Sequence, residues 1–312
     1  MGLGGLRGRD LLTLQDYSSE EVAGLLELAR KLKERPGLLG EPLRGKYVAL
    51  LFERPSTRTR VSLEVAIGQL GGRALYLSAL ETQLSRGEAV GDMARVMDGY
   101  VDAVAARVRS HRWLEEYAHY SQKPVINALS DLHHPLQALA DLLTVWEVRG
   151  RLRGVKLAYV GDGGANTCHS LLIACSKLGV DITVACPPQY RPAEAVLKEA
   201  VLNAASSGSK VEVVEDPEVA VRGADVIYTD VFVSMGREEE SEARRRAFLP
   251  RYQVRPELVR LAKEDYIFMH CLPAHRGEEV VDEVIDDPSH SAVWRQAENR
   301  LHTAKAVLAS LI

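Results

Sequence analysis

Short apolar runs alternate with longer runs of helical periodicity along nearly the whole chain, and this alternation limits the available folds more than any other feature. "EEVAGLLELARKLKE" (20–34) keeps its apolar residues on one helical face. "KYVALLF" (46–52) is apolar at almost every position, the pattern of a strand covered on both faces. A helix is predicted from about Thr57 to Leu70, then strand "RALYLSA", helix "AVGDMARVMDGY", strand "DAVAARV", helix "WLEEYAHYS" and strand "PVINAL". Strands and helices in this order form βαβ units, hence a mostly parallel sheet with helices on both faces.

The pattern then restarts. "HPLQALADLLTVWEVRG" (134–150) has apolar residues at 136, 139, 140, 143 and 146, one helical stripe that bridges two halves. After it come strand "VKLAYV", helix "TCHSLLIACSKLG", strand "DITVAC", helix "AEAVLKEAVLNAA", strand "KVEVV", a short helix, strand "ADVIYTD" and a last strand "DYIFMH". A long helix closes the chain, with Trp294, Ala297, Leu301, Ala304, Leu308 and Leu311 at three- and four-residue steps. The reading is α/β: two doubly wound parallel-sheet domains joined by helices. The first domain is expected over residues 1–133 with the C-terminal helix of about 291–312. The linking helix spans 134–150 and the second domain 151–290; 312 residues suffice for two such domains.

"SMGREEESEARRRAFLPRYQV" (234–254) is the exception, dense in charge and short of core residues. It reads as a solvated loop and helix, with Arg244, Arg245 and Arg246 in water. Its length also makes it a candidate lid. The net charge of −4 gives no reason to expect nucleic acid or an acidic membrane surface as partner, so arginine clusters need local explanations. The four cysteines, Cys168, Cys175, Cys186 and Cys271, form no CxxC pair, which argues against zinc and against a disulfide framework. The N-terminus has no long apolar core and no run approaches a membrane span, so a soluble, cytoplasmic protein is expected.

"FERPSTRTR" (52–60) puts three arginines, two threonines and a serine just past a strand end, at a helix start. Free backbone N–H groups and the helix dipole favour an anion there. Hydroxyls of Ser56, Thr57 and Thr59 add donors, and Arg58 adds a fork that matches phosphate oxygens. Simple capping by Ser56 or Thr57 is the bland alternative, but a cap does not need this run, and a phosphate site explains it. In "HHPLQ" (133–137), Pro135 suits the first helical position, and His134 and Gln137 share a face opposite Leu136, Leu139 and Leu143. "GDGGAN" (161–166) follows a strand and opens a helix. A dinucleotide loop would have glycine where Asn166 stands and an acidic residue after the second strand, which ends in "VACPP". Asn166 instead offers an amide to a ligand. Asp230, at a strand end in "DVFVSMG", could hold an ammonium or simply cap a turn. Cys271, beside His270 in "HCLPAHRGEEV", reads as a ligand contact or small hydrophobe before a nucleophile, since adjacent strand residues point oppositely.

FxxPSTRTR, HPxQ, GDG…N, DxxxSMG and HCLPAHRGEEV, in this order, resemble the aspartate/ornithine carbamoyltransferase family from about Leu11 to Leu311, and the last two motifs resemble its ornithine-specific branch. The resemblance implies transfer of a carbamoyl group from carbamoyl phosphate to the δ-amine of L-ornithine, without metal or organic cofactor. It implies that Ser56, Thr57, Arg58 and Thr59 hold the phosphate, while Arg107, His134 and Thr59 reach the carbamoyl oxygen. It further implies that Gln137 and the backbone of Cys271 and Leu272 bind the carbamoyl amine, and that Arg300 and Gln83 contact the same substrate, Gln83 in a neighbouring subunit. Asn166, Asp230, Ser234 and Met235 would bind the α-amino and α-carboxylate groups of ornithine, and Leu272–Pro273 would be cis. A homotrimer or multiple of trimers is implied. Rival readings are a carbamoyltransferase for another amine such as putrescine, a nicotinamide-dependent oxidoreductase, and a non-catalytic binding protein on the same fold.

Overall fold

The computed structural model describes residues 3–233 and 238–312. The chain divides into two compact units, one of Met1–Leu143 with Glu298–Ile312 and one of Thr144–Ala297, so both divisions fall inside long helices. No helix among the described residues is long and apolar enough to cross a membrane.

In the first unit, α1 (Ser19–Glu34) starts with a reciprocal cap. Ser18 Oγ accepts the Glu21 N–H at 3.1 Å, and the Glu21 carboxylate accepts the Ser18 N–H at 2.8 Å. β1 (Tyr47–Phe52), α2 (Thr57–Gln69), β2 (Arg73–Ser78), α3 (Val90–Asp98), β3 (Ala103–Arg107), α4 (His111–Tyr120) and β4 (Val125–Leu129) follow, then the start of α5 (Pro135–Arg149). The four strands form one parallel sheet in the order β2-β1-β3-β4. Ala49, Leu51, Val104, Ala106 and Val125 pack with Leu114 and Tyr117 of α4 in a common core. The order reverses between β1 and β3, so the crevice at the carboxyl ends of these two strands is the place where such a sheet receives ligands. Phe52 and Arg107 are in register there.

The second unit repeats the plan. β5 (Lys156–Val160), α6 (Asn166–Leu178), β6 (Asp181–Ala185), α7 (Glu194–Ser207), β7 (Val211–Val214), α8 (Pro217–Val221), β8 (Val226–Thr229), α9 (Ser241–Phe248), α10 (Pro256–Val259), β9 (Ile267–His270) and α11 (Asp282–Ile285) precede α12 (Val293–Leu311). Its five parallel strands run β7-β6-β5-β8-β9, with the reversal between β5 and β8, where Val160 pairs Thr229. The architecture is therefore the expected one: two doubly wound parallel-sheet domains.

Two local expectations are corrected. The linking helix does not have one buried face: Leu136 through Val145 are all buried. Two of its polar residues bond to each other, Gln137 Nε2 donating to Asp141 Oδ1 at 2.8 Å. The segment after Ser234 is not short of core residues either. Phe248, Tyr252 and Val254 join the core of the second unit, and Arg244 is only 3% exposed, not in water. The charges that line this segment masked three apolar anchors spaced too irregularly to show a period.

Candidate active site

The turn after β1 leads straight into α2. Ser56 is the N-cap, in extended conformation, and its Oγ accepts the Thr59 N–H at 3.4 Å. The cap does not exclude an anion here, because one side-chain cap leaves other first-turn N–H groups without a side-chain partner. Thr57 is exposed and Arg58 half-buried. Arg60 turns away, pairing with Glu64 at 2.9 Å and lying 3.7 Å over the Tyr76 ring. The Glu53 N–H donates to the Arg107 carbonyl at 2.9 Å, and the Glu53 carboxylate accepts the Arg109 N–H, so the turns after β1 and β3 are stitched together.

Thr59 is 1% exposed, and its Oγ1 accepts Nη2 of Arg300 at 2.7 Å, across a sequence separation of 241 residues. Arg300 and Arg107 are each 6% exposed. His134 precedes α5 and is buried; its carbonyl accepts the N–H groups of Gln137 and Ala138, which makes it the cap residue. Burial holds its imidazole well below the usual histidine range, and the positive charges of Arg300 and Arg107 push it the same way. Thr59, Arg107, His134 and Arg300 therefore form one buried, cationic group around a neutral imidazole. Gln137 is buried next to it. An aspartate only accepts, so the bond to Asp141 fixes the amide orientation and leaves Oε1 as acceptor, with no hydrogen bond to it among the described residues. Gln83 stands apart, exposed in the turn Gln83–Arg86, and its side chain bonds to none of these residues.

In the second unit the site residues gather at the ends of β5, β8 and β9. Thr229 and His270 are in register, so Asp230 and Cys271 emerge side by side. Cys271 Sγ donates to Asp230 Oδ1 at 3.0 Å, and the same oxygen accepts the Val231 N–H at 2.8 Å. A thiol that donates to a carboxylate holds its proton and is not arranged as a nucleophile. The His270 ring points the other way: Nε2 meets buried Glu279 at 3.1 Å and Nδ1 accepts the Leu272 N–H at 2.9 Å. The tautomer that fits both partners protonates Nε2. The Leu272–Pro273 peptide is cis, and Leu272 has φ of 58°, a left-handed conformation unfavourable for leucine. Asn166 opens α6 half-buried and accepts the Thr167 hydroxyl at 3.2 Å. Ser234 and Met235 lie outside the described residues.

Two sequence profiles cover the chain: the aspartate/ornithine carbamoyltransferase carbamoyl-P binding domain over residues 9–147, and the Asp/Orn binding domain over residues 153–311. The chain belongs to the aspartate/ornithine carbamoyltransferase family. It is 57% identical to the ornithine carbamoyltransferase of Pyrococcus horikoshii, over 98% of this chain and 96% of that one. It is 56% identical to that of Hyperthermus butylicus, over 99% of both. The solved structure of ornithine carbamoyltransferase from Pyrococcus furiosus superposes with a TM-score of 0.94 at 57% identity, over 98% of this chain and 97% of that one.

Within this family frame, sequence reasoning missed two buried groups. Asp162 and Arg244 form an ion pair at 2.6 Å, and Glu279 pairs His270. The apolar Phe248, one turn beyond Arg244, was the available signal that this face of the helix is inward.

Proposed function

We propose that this chain transfers the carbamoyl group of carbamoyl phosphate to the δ-amine of L-ornithine, giving L-citrulline and phosphate. The observation that carries the reading is the buried group of Thr59, Arg107, His134 and Arg300 beside the N-terminus of α2. Concentrated positive charge and a neutral hydrogen-bond donor suit an acyl phosphate whose carbonyl oxygen gains charge during attack. The ornithine branch is supported by the names of the relatives and by Asp230, placed to meet an α-ammonium.

In this reading the residues take the following roles. Ser56, Thr57, Arg58 and Thr59 hold the phosphate at the helix start. Gln137 Oε1 and the carbonyls of Cys271 and Leu272 accept from the carbamoyl NH2. Asn166, Asp230, Ser234 and Met235 hold the α-amino and α-carboxylate groups. The neutral δ-amine attacks the carbamoyl carbon, and a C–N bond forms. Arg107, His134 and Thr59 take the charge that develops on oxygen. The C–O bond to phosphate then breaks, and the leaving phosphate accepts the proton released by the amine. No residue forms a bond to the substrate, so orientation and charge stabilisation supply the rate. Residues 1–133 with about 291–312 serve carbamoyl phosphate and 151–290 serve ornithine; the family profiles over 9–147 and 153–311 support two substrate domains, and the division into compact units supports placing the C-terminal helix with the first. The finer parts of the reading are a cytoplasmic homotrimer, or a multiple of trimers, in arginine biosynthesis. Exposed Gln83 is then free to serve a neighbouring subunit's carbamoyl phosphate.

The test is citrulline formation from carbamoyl phosphate with ornithine, aspartate and putrescine side by side. Turnover with ornithine alone is expected. Turnover with putrescine would keep the phosphate site and remove the role of Asp230, and no turnover with any amine would end the proposal.

A further inference from the structure

Arg244 holds two loops at once. Its Nη1 donates to Asp162 Oδ2 at 2.6 Å and to the Phe232 carbonyl at 3.0 Å, while Nε donates to Glu240 at 2.9 Å. The guanidinium lies 4.8 Å over the Tyr190 ring. Phe248, one turn on, stacks on Phe232 with centroids 4.6 Å apart and fixes the helix that carries Arg244. Asp162 in turn shapes the glycine loop: its Oδ1 accepts the Gly164 N–H at 2.9 Å and its carbonyl accepts the Ala165 N–H at 3.1 Å. One of the two loops leads to Asn166 and the other carries Asp230, and they are the loops at the reversal between β5 and β8.

A buried ion pair is weak evidence of a stability role, since apolar residues of similar volume often serve the fold as well. The aromatic and aliphatic surroundings of Arg244 would accept such a residue. A guanidinium offers direction instead: a planar fork that binds acceptors at set angles. We propose that Arg244 is a positioning residue for the amino-acid side of the site, clamping the glycine loop to the turn after β8 and thereby fixing Asn166 relative to Asp230. The proposal rests on the reading of those two residues as ornithine ligands.

The experiment compares Arg244→Met and Arg244→Lys with Arg246→Ala, whose side chain is 76% exposed and pairs only at the surface with Glu242. Misplaced ligands cost about 10²-fold, so kcat/KM for ornithine is expected to fall by that order in Arg244→Met, chiefly through KM, with KM for carbamoyl phosphate unchanged. Arg244→Lys, which keeps the charge but loses the fork, falls between Met and wild type. Adding Asp162→Asn to Arg244→Met costs nothing further, because both act through one contact. Amides of 161–166 and 230–233 exchange faster in Arg244→Met and not in Arg246→Ala. Equal losses for both substrates, an additive double variant, or an unchanged KM for ornithine in folded Arg244→Met would each overturn the proposal. A wild-type chain that does not use ornithine would end the functional reading instead. Hydrogen exchange still decides the clamp in that case, and unchanged exchange in Arg244→Met sinks it.

Discussion

At the scale of the residue, the neutral state of His134 matters most. Burial and two nearby arginines keep its imidazole uncharged, so in the proposed reaction it would meet the carbamoyl oxygen as a donor through N–H without adding a third cation to a crowded site. The pH dependence of kcat/KM for carbamoyl phosphate should accordingly show no step from this group near pH 6.5; an inflection there that vanishes in His134→Asn would contradict the arrangement. Thr59→Val keeps the shape but removes the acceptor of the Arg300 N–H. A loss of about 10²- to 10³-fold in kcat is expected, the scale for one lost donor to a developing oxyanion. Destabilisation of about 1.5–3 kcal/mol should accompany it, from the loss of a buried hydrogen bond to a charged group. Both are read by steady-state rates and urea unfolding. Arg58→Ala should lower turnover by about two orders of magnitude or more, since it removes a fork on the phosphate. Its melting curve should barely move, because the side chain is half-buried beside solvent. Near-normal activity in that variant would displace the phosphate from this turn.

At the scale of the element, the glycine loop shows why a motif and its cause can part company. Gly163 is needed for close approach: a Cβ there would lie 2.7 Å from the Tyr190 carbonyl and 2.8 Å from Pro192 Cδ. Gly161 has φ of 140°, which side chains rarely adopt. The glycines thus serve the fit of the loop against its neighbours, and no nucleotide is required to explain them. Gly163→Ala should cost about 1–3 kcal/mol through overpacking against backbone that cannot move aside. The same substitution should raise KM for ornithine more than KM for carbamoyl phosphate, because the displaced loop carries Asn166. Helix α5 teaches a related lesson. Its apolar stripe was visible in the sequence, but burial of the remaining face was not, since the bond between Gln137 and Asp141 shows only in the structure.

At the scale of the whole molecule, several histidines pull stability in one direction with pH. His134 and His111 are held below the usual histidine value chiefly by burial, and His302 by burial and the nearby Lys305 and Lys33. Below about pH 6.5 the unfolded chain binds protons at these positions that the folded chain refuses, so stability falls as pH falls. His290 opposes them: burial lowers it, but pairing with Asp287 raises it on balance, and its contribution is lost as pH rises. The three lowered histidines predict a melting temperature that declines from about pH 6.5 downward, and His290 predicts a smaller decline as pH rises above about 6.5, measured by calorimetry across pH 8 to 5. A melting temperature that rises toward pH 5 would reverse the assignment. The fold was legible because strand and helix periods are local properties of the chain, and the two runs of βαβ units fix the sheet type. The turn at Ser56–Arg58 and the acceptor at Asn166 were legible for the same reason: strand end, hydroxyls and helix start are consecutive. Arg244, Asp162 and Glu279 were not, because burial of a charge depends on partners brought from elsewhere. The sequence by itself determined which elements form and which of their ends carry the hydroxyls and amides of the candidate site. Only the tertiary structure decided which charges are buried and paired, because burial free energy belongs to contacts such as Arg300 with Thr59, set by packing across 241 positions of chain.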